Sequence, residues 1–425
     1  MPLHSAPTPA RPWRFVLAAG LATALAGIAP LATKAGTGAW VGTWAASPEA
    51  TWGPDFALPT KVPAALRDQT LRQVVRVSIG GQRLRLVLSN AYGAAALRVG
   101  SVHVALSGGG TRTVPFSDRT VTFGGLRRAS VPPGAPLVSD PVDLPVASLT
   151  SLAVSIYLPD PTPVTTFHWD GRQTASIGRG DLAAAGGFVP DATTDARIAL
   201  TGVLVDAPAN GGAVVAFGDS ITDGNGATTD ADQRWPDFLA ERLAPRRVAV
   251  LNAGISGARV LGDKMGSNAA ARFGRDVVGQ PGVRAVVVLM GINDIAWPGT
   301  AFAPGASPPT ADEVIAGYRQ LIAQARSHGV RILGATLMPF EGALGGTPLE
   351  GYYDLGKEAL RKQINAWMRS GAEFDAVIDF DALMRDPQHP TRLRADYDSG
   401  DHLHPGDAGS KAMADAVDLA SLLGE

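Results

Sequence analysis

The sequence predicts two kinds of fold in succession, an all-β sandwich or jelly roll followed by a doubly wound α/β domain. In residues 38–206, short runs alternate apolar and polar residues between clusters of Gly, Pro, Ser and Asp, which is typical of strands with one buried face. In residues 212–425, short apolar runs alternate with stretches of helical periodicity, as parallel strands joined by helices require. We therefore expect a β accessory domain over 38–206 and an α/β domain over 212–425, joined by the segment DAPANGG.

Composition excludes several classes of protein. The chain has 425 residues, and 37 Lys and Arg against 39 Asp and Glu give a formal net charge of −2. A nearly neutral chain lacks the positive potential on which nucleic-acid binding depends, so no nucleic-acid partner is expected. The sequence has 0 Cys, which excludes disulfides, thiolate metal sites and a cysteine nucleophile.

The amino terminus has the pattern of a secretory signal peptide, predicted over residues 1–35. Arg11 and Arg14 precede the apolar run 15–32, and small residues follow it. The alternative is a retained membrane anchor, because 18 apolar residues reach the lower limit of about 17 for a bilayer span. The Ala and Gly content of the run and Pro30 favour cleavage. The mature protein is then expected to be secreted or periplasmic, without a stable membrane anchor.

The clearest strands of the β half flank Gly80 and Gly81. Val75, Val77 and Ile79 alternate with polar residues before the glycines, and Leu84, Leu86 and Leu88 do so after them. A two-residue Gly-Gly connection predicts a β-hairpin, with Val77 opposite Leu84. Similar alternation predicts further strands around 99–106 and 152–158.

The α/β half contains apolar runs that read as buried parallel strands. They are AVVAF (213–217), VAVLN (248–252), VRAVVVLM (283–290), VRILGATLM (330–338) and AVIDF (376–380). The stretch Ala311–His328 has helical spacing of its apolar residues, and Thr310 with Glu313 forms a capping box at its start.

An open parallel sheet binds its ligand at the carboxyl ends of the strands, so the loops after the apolar runs are the places to search. The first loop holds GDSITDG, which places Ser220 on a turn before a helix. The next two hold NAGISG and GIND, and DHLHP stands before the last helix.

These motifs, in this order and at predicted strand ends, resemble those of the SGNH hydrolases, also called the GDSL esterase family. The resemblance covers nearly all of the second half and implies a flavodoxin-like parallel sheet and hydrolysis of carboxylic esters without a cofactor. The residue after GDS is Ile221 where the family usually has Leu, which is a conservative change.

A serine hydroxyl needs a base to take its proton and a third group to orient that base. The histidines near the carboxyl edge of the predicted sheet are His402 and His404, and Asp401 stands three residues before His404. The family's Asp-x-x-His pattern carries over onto Asp401 and His404. The resemblance thus implies Ser220 as nucleophile, His404 as general base and acid, and Asp401 as its orienter.

The resemblance also implies an oxyanion hole made of the Ser220 N–H, the Gly257 N–H and the Asn293 side-chain amide. Gly254 is the alternative if the register of the second motif is shifted. Taken singly, these residues also have structural interpretations: Asp219 and Ser220 as a helix cap, Asn293-Asp294 as an Asx turn, and Asp401 as the partner of a structural histidine. His402 and His404 could in principle bind a metal, but they are only two residues apart and no further ligand pair is evident, so no metal is expected.

The substrate is less defined. Trp297, just after GIND, is predicted to shape a substrate pocket, whereas Trp40, Trp44, Trp52 and Trp169 are candidates for sugar stacking or for core packing. The favoured function is a secreted serine esterase that removes small acyl groups, above all acetyl, from carbohydrate. The alternatives are a lipolytic acylhydrolase acting on longer chains and a non-catalytic binding protein with a degenerate esterase fold.

Overall fold

The structure, a computed structural model, describes residues 39–207 and 210–425 together with Pro2. Apart from Pro2, the predicted signal peptide lies outside the described residues. The described residues from 39 onward form one compact unit, so the predicted division into two domains stays a prediction. We call residues 39–206 the β half and residues 212–425 the α/β half. Among the described residues, no helix is both long and apolar enough to cross a membrane.

The β half is built from antiparallel strands. They are β1 (Trp40–Ala45), β2 (Glu49–Ala50), β3 (Ala65–Leu66), β4 (Gln69–Arg76), β5 (Gly81–Ser89), β6 (Leu97–Val99), β7 (Ser101–Leu106), β8 (Arg119–Val121), β9 (Ala129–Val131), β10 (Pro136–Val138), β11 (Val142–Val146), β12 (Ser151–Leu158), β13 (Thr162–Pro163), β14 (Thr166–His168), β15 (Ala175–Arg179), β16 (Ala192–Thr194), β17 (Arg197–Ile198) and β18 (Leu200–Asp206).

Two large sheets dominate this half. One has the order β1-β18-β5-β10, with β11 also paired to β5, and the other has the order β16-β15-β4-β12-β7-β8. Every pairing within them is antiparallel. The all-β fold is confirmed, and the strands expected around 99–106 and 152–158 are the neighbours β7 and β12.

The predicted Gly80-Gly81 hairpin is wrong. Strand β4 lies between β12 and β15, whereas β5 belongs to the other sheet, so Val77 does not pair with Leu84. Alternation reports only which face is buried, and two facing sheets bury the same positions as a hairpin would. Gly80 and Gly81 instead lie where the chain passes from one sheet to the other. Gly80 has no room for a side chain there, because a Cβ would lie 2.1 Å from the Val146 carbonyl oxygen.

The α/β half contains strands β19 (Gly212–Gly218), β20 (Val248–Gly254), β21 (Val283–Leu289), β22 (Arg331–Ala335) and β23 (Ala376–Ile378). Its α-helices are α1 (Ser220–Asp223), α2 (Trp235–Leu243), α3 (Ala269–Phe273), α4 (Ile292–Ala296), α5 (Ala311–Ser327), α6 (Leu355–Ser370), α7 (Phe380–Met384), α8 (Asp407–Asp415) and α9 (Leu419–Leu423). A 3₁₀ turn at Ala244–Arg246 and a π turn at Gly274–Val278 complete it.

The strands form one parallel sheet in the order β20-β19-β21-β22-β23. This is the 2-1-3-4-5 order of flavodoxin-like folds, so the predicted fold class is confirmed. Helix α2 packs on α8, and α3 and α6 pack on α5. Helix α5 begins at the predicted capping box, and its buried residues are those of the predicted apolar stripe.

The two halves share a packed boundary along β1 and the edge strand β20. The Gly42 N–H donates to the Pro281 carbonyl at 2.9 Å, and the Ser78 hydroxyl donates to the Val250 carbonyl at 2.7 Å. Buried apolar residues of both halves belong to one continuous core. The β half is therefore fixed against the sheet whose strand ends carry the predicted site.

Candidate active site

The first three motif loops begin where adjacent strands of the parallel sheet end. Gly218 closes β19, Gly254 closes β20 and Leu289 closes β21. The buried Arg272 side chain ties two of these ends together by donating to the carbonyls of Gly218 at 2.9 Å and Ala253 at 2.8 Å. The loops are thus held at one edge, as the topology predicts.

Ser220 is the first residue of α1 and is preceded by Asp219 as N-cap. One Asp219 carboxylate oxygen accepts the Ile221 N–H at 3.1 Å, so the capping interpretation of Asp219 is correct. Its other oxygen is buried without a partner among the described residues. Burial raises the pKa of Asp219 to about 7.

His404 bridges the candidate nucleophile and a carboxylate. Its Nε2 lies 2.8 Å from the Ser220 hydroxyl oxygen, and its Nδ1 lies 2.6 Å from an Asp401 oxygen. The Ser220 and His404 residues are 7% and 5% exposed, so bulk water is largely kept from the pair. This is the arrangement in which a base removes a hydroxyl proton while a third group fixes the tautomer of that base.

Asp401 is held in place by its own turn. The oxygen that does not face the imidazole accepts the N–H groups of Leu403 at 2.9 Å and His404 at 2.8 Å. Burial alone would raise the pKa of Asp401, but the hydrogen bonds and charge of His404, together with these N–H groups, hold it well below its usual value. Asp401 is therefore ionised throughout the pH range in which His404 could act as a base.

The Asn293 amide is oriented by two donors. The Trp297 indole N–H and the Tyr352 hydroxyl both donate to its oxygen, which fixes the NH₂ group on the opposite side. One N–H of that group donates to the Ala258 carbonyl at 3.0 Å. Asn293 is therefore not the Asx turn considered from the sequence, because its side chain reaches across to the NAGISG loop and keeps a further N–H for a ligand.

The Gly257 loop is fastened on both sides of the glycine. Before it, Asp223 accepts the N–H of Ser256 at 2.9 Å and its hydroxyl at 2.8 Å; after it, Asn293 holds Ala258. Gly257 itself has φ +78°, and a Cβ there would lie 2.5 Å from the Met265 sulfur. Backbone conformation and space both demand glycine at this position.

The backbone N–H groups expected to bind an oxyanion remain free. Within the described part of the chain, neither the Ser220 N–H nor the Gly257 N–H donates to a protein acceptor. The alternative residue, Gly254, is the last residue of β20, and its N–H donates to the Asn252 side chain at 2.9 Å. The geometry therefore favours Gly257 over Gly254.

Asp294 holds the same loop at the residues that follow Ala258 in the chain. Its two oxygens accept the N–H groups of Val260 at 2.7 Å and Leu261 at 2.8 Å. Burial raises the pKa of Asp294 to about 6, although these two N–H groups oppose the shift. The two polar residues of GIND thus both act on the loop that carries Gly257.

His402 does not join His404. Its ring nitrogen Nδ1 contacts Asp398 at 2.5 Å, and its side chain is 58% exposed. Among the described residues, no three His, Asp or Glu side chains are grouped as metal ligands. The structure thus directs the two imidazoles to different carboxylates.

A cavity of about 270 Å³ opens above Ser220, His404 and Asn293. Its other walls are mostly apolar side chains from both halves, among them Leu58, Met265, Phe302, Leu344, Leu349 and Leu403. Leu58 and Trp169 are contributed by the β half. The cavity lies just below the range of about 300–1,000 Å³ that drug-sized ligands occupy.

Trp297 does not line this cavity and influences it only by orienting Asn293. Its indole is 1% exposed, it is not part of the cavity wall, and it donates to Asn293 at 3.0 Å. The predicted contact of Trp297 with substrate is therefore corrected to an orienting role. The partly buried rings of Phe56 and Phe302 pack against it and cover it, which explains why a large side chain at this position carries no free surface.

Several residues of the site escaped sequence reasoning. Tyr352, Asp223 and Ser256 orient the predicted groups, and the segment 344–349 forms part of the cavity wall. Asp223 and Ser256 lie inside the quoted motifs, so their position was a usable signal. Tyr352 had none, because it reaches Asn293 from 59 residues away along the chain.

Residues 216–412 match the model of the GDSL-like lipase/acylhydrolase family. Among curated proteins, no sequence matches the chain. Solved structures similar to it include a carbohydrate acetylesterase family member from Sinorhizobium meliloti (19% identity, covering 50% of this chain and 100% of that one, TM-score 0.40). Others are an inhibitor-bound aryl esterase from M. smegmatis (20%, 50% and 100%, 0.39) and an α/β hydrolase from the metagenome of Lake Arreo, Spain (24%, 51% and 97%, 0.37).

Proposed function

Because residues 216–412 belong to the GDSL-like lipase/acylhydrolase family and the protein is an ester hydrolase, we propose that Ser220, His404 and Asp401 are its catalytic triad. The observation that carries this assignment is the unbroken line of hydrogen bonds from Asp401 through His404 to the Ser220 hydroxyl. The proposed substrate is a small ester whose acyl or alcohol part is apolar.

In the first step, the Ser220 oxygen attacks the ester carbonyl carbon while His404 Nε2 takes the hydroxyl proton. The carbonyl π electrons move onto its oxygen, which the N–H groups of Ser220 and Gly257 and the Asn293 amide are placed to stabilise. The tetrahedral adduct then collapses with loss of the alcohol, which receives its proton from His404. Asp401 keeps the imidazole oriented and stabilises its positive charge.

In the second step, a water molecule attacks the acyl group bound to Ser220. His404 takes a proton from that water, the same three N–H donors stabilise the second adduct, and the carboxylic acid leaves as His404 returns the proton to Ser220. One water is consumed, and the acid and the alcohol are released.

The cavity supports an apolar substrate. Of the polar side chains in its wall, the Ser256 hydroxyl donates to Asp223, the Tyr352 hydroxyl to Asn293 and the Thr347 hydroxyl to the Leu344 carbonyl. The wall also contains Asn225, whose side-chain amide has no partner among the described residues and is left for a ligand. Few side-chain groups remain to bind sugar hydroxyls, and unpaired buried hydroxyls would weaken binding. The volume limits the buried group to a short acyl chain or a small ring.

Acetyl groups on carbohydrate, the substrate favoured by the sequence, remain a narrower proposal. An acetyl group fits the cavity, and the sugar would then lie outside it. Secretion likewise remains a proposal that rests on the amino-terminal pattern, which lies outside the described residues.

The test is to measure Ser220-dependent hydrolysis across p-nitrophenyl esters from acetate to octanoate, with acetylated xylan as a parallel substrate. Ser220→Ala should keep the thermal unfolding transition of the wild type and lose nearly all turnover. Turnover by Ser220→Ala comparable to that of the wild type would refute the triad. Acetate release from xylan with weak turnover of every longer ester would favour the carbohydrate proposal over the apolar one.

A further inference from the structure

A histidine from the β half is buried against the first motif of the α/β half. His168, at the end of β14, is 4% exposed, and its Nε2 lies 2.9 Å from an Asp223 oxygen. Asp223 is the acidic residue that ends α1, three residues after Ser220. The contact thus crosses between the halves within the buried layer beneath the candidate site.

The surroundings of the His168 ring require a positive charge. Its Nδ1 lies 3.1 Å from the Ser47 carbonyl oxygen, and its Nε2 faces the Asp223 carboxylate. A carbonyl oxygen and a carboxylate both accept hydrogen bonds, so both ring nitrogens must donate, which only the imidazolium can do. Burial alone would lower the pKa of His168, but the carboxylates of Asp223 and Glu49 raise it to about 9.

Further charged side chains surround this pair. Glu49, on β2, lies beside β14 and is fully buried; one of its oxygens accepts the Trp169 N–H at 2.7 Å. The buried guanidinium of Arg272, on α3, also acts on Glu49. His168 therefore pairs directly with Asp223 and is further stabilised as a cation by the charge of Glu49.

Asp223 carries the contact on to the Gly257 loop. The oxygen opposite His168 accepts both the N–H and the hydroxyl of Ser256. Ser256 immediately precedes Gly257, whose N–H is a proposed oxyanion donor. An anion bonded on one side to a fixed cation and on the other to this loop restricts where the loop can lie.

We propose that His168 is a positioning residue of the esterase: as an imidazolium it fixes Asp223, and Asp223 fixes Ser256 so that the Gly257 N–H faces the developing oxyanion. This inference rests on the proposed function and adds to it a role for the β half. It makes an antiparallel region outside the family match part of the catalytic apparatus.

The experiment compares His168→Phe and His168→Asn with the wild type, using p-nitrophenyl acetate as substrate and butaneboronic acid as a tetrahedral mimic bound through Ser220. Asparagine is too short to span Ser47 and Asp223, so it removes the link while staying polar. The matched control is His103→Phe, because His103 also pairs with a carboxylate, Asp118 at 2.9 Å, but within the β half.

We expect both His168 variants to lose kcat and boronate affinity in parallel, by about tenfold or more. The loss should stay below the roughly 10²- to 10³-fold that deletion of an oxyanion donor produces. KM should change by less than about threefold, since Gly257 is displaced rather than the cavity walls. His103→Phe should leave kcat and boronate affinity at wild-type values.

Folding is checked by the thermal unfolding transition of each variant, and if His168→Phe fails to unfold cooperatively, His168→Asn decides by the same criteria. A folded His168 variant with wild-type kcat and boronate affinity overturns the inference. So does a variant that loses kcat while keeping its boronate affinity. If the wild type itself shows no Ser220-dependent turnover, it is the proposed function that fails.

Discussion

Each proposed catalytic group is held by contacts that leave one direction free. Asp401 is fixed by two backbone N–H groups, and the Asn293 oxygen is fixed by an indole and a phenol. The remaining N–H of Asn293 and the N–H of Gly257 can then point at the same place. Preorganised donors of this kind stabilise developing charge without having to reorient during the reaction.

Asn293→Ala tests whether this amide acts in the transition state. We expect kcat to fall by about 10²- to 10³-fold with little change in KM. The reason is that this N–H stabilises the negative charge of the transition state and contributes little to binding of the uncharged ester. Steady-state kinetics on p-nitrophenyl butyrate measure both. Asn268→Ala, which removes the N-cap of α3, is the matched control. A rise in KM with kcat unchanged would make Asn293 a binding residue instead.

Gly257→Ala tests the backbone donor. The added Cβ meets Met265 and Trp297 and strains a residue at φ +78°, so the loop must shift and kcat should fall at least tenfold. Gly180→Ala is the control for strain alone, since Gly180 has φ +79° and no atom within 4 Å of an added Cβ. Equal kcat in the two variants would contradict the assignment of Gly257.

At the scale of elements, the β half supplies part of the cavity wall through Trp169 and through the segment that carries Leu58, which is held by two indoles. The Trp52 indole donates to the Leu58 carbonyl at 2.6 Å, and the Trp169 indole donates to the Pro59 carbonyl at 3.0 Å. Trp52 also packs edge-on against Phe56. Both indole N–H groups are thus occupied in shaping the segment, which favours the packing interpretation of these tryptophans over sugar stacking.

Leu58→Ala is expected to move the chain-length preference toward longer acyl groups. Each additional methylene that the enlarged cavity buries contributes about 0.8 kcal/mol, or roughly fourfold in kcat/KM. The ratio of kcat/KM for hexanoate to that for acetate should therefore rise several-fold. Leu126→Ala, at an exposed leucine of the β half, should leave the ratio unchanged. If Leu58→Ala leaves the hexanoate-to-acetate ratio of kcat/KM unchanged, the β half does not take part in substrate selection.

The elements also show which sequence patterns suffice to predict a helix, a strand pairing or a pair of site residues. Helix α5 was predictable to within one residue, because its capping box and apolar stripe are local signals. The partner of β4 was not, since alternation defines a buried face and leaves the neighbouring strand undefined. The Asp401–His404 pair is local in the chain and was accessible, whereas Tyr352, which orients Asn293, was not.

At the scale of the whole molecule, joining the halves buries ionisable groups between and beneath them. Burial raises the pKa of Glu49 from 4.5 to about 7 and that of Asp219 from 3.8 to about 7. Although burial opposes it, the charges of Asp223 and Glu49 raise the pKa of His168 from 6.5 to about 9. Each group therefore binds its proton more tightly in the folded protein than in the unfolded chain.

The stability that these protons confer must decline as pH rises. A raised folded pKa contributes fully below the unfolded value and is lost as pH passes through the folded value, here between about pH 4 and 9. We expect the free energy of unfolding in urea to fall from pH 5 to pH 9. In Glu49→Gln the decline between pH 5 and 7 should be shallower. A free energy of unfolding that increases over this range would contradict the prediction.

The sequence by itself determined the fold class of each half, the motifs that follow the parallel strands and the residues of the candidate triad. These follow from local periodicity and from motifs that stand at strand ends, where sheet topology brings them together. Only the tertiary structure decided the sheet to which each β strand belongs, the cavity wall contributed by the β half and the link from His168 through Asp223 to Ser256. These contacts join residues far apart in the chain, and shape and charge complementarity between packed surfaces leaves no periodic signal in sequence.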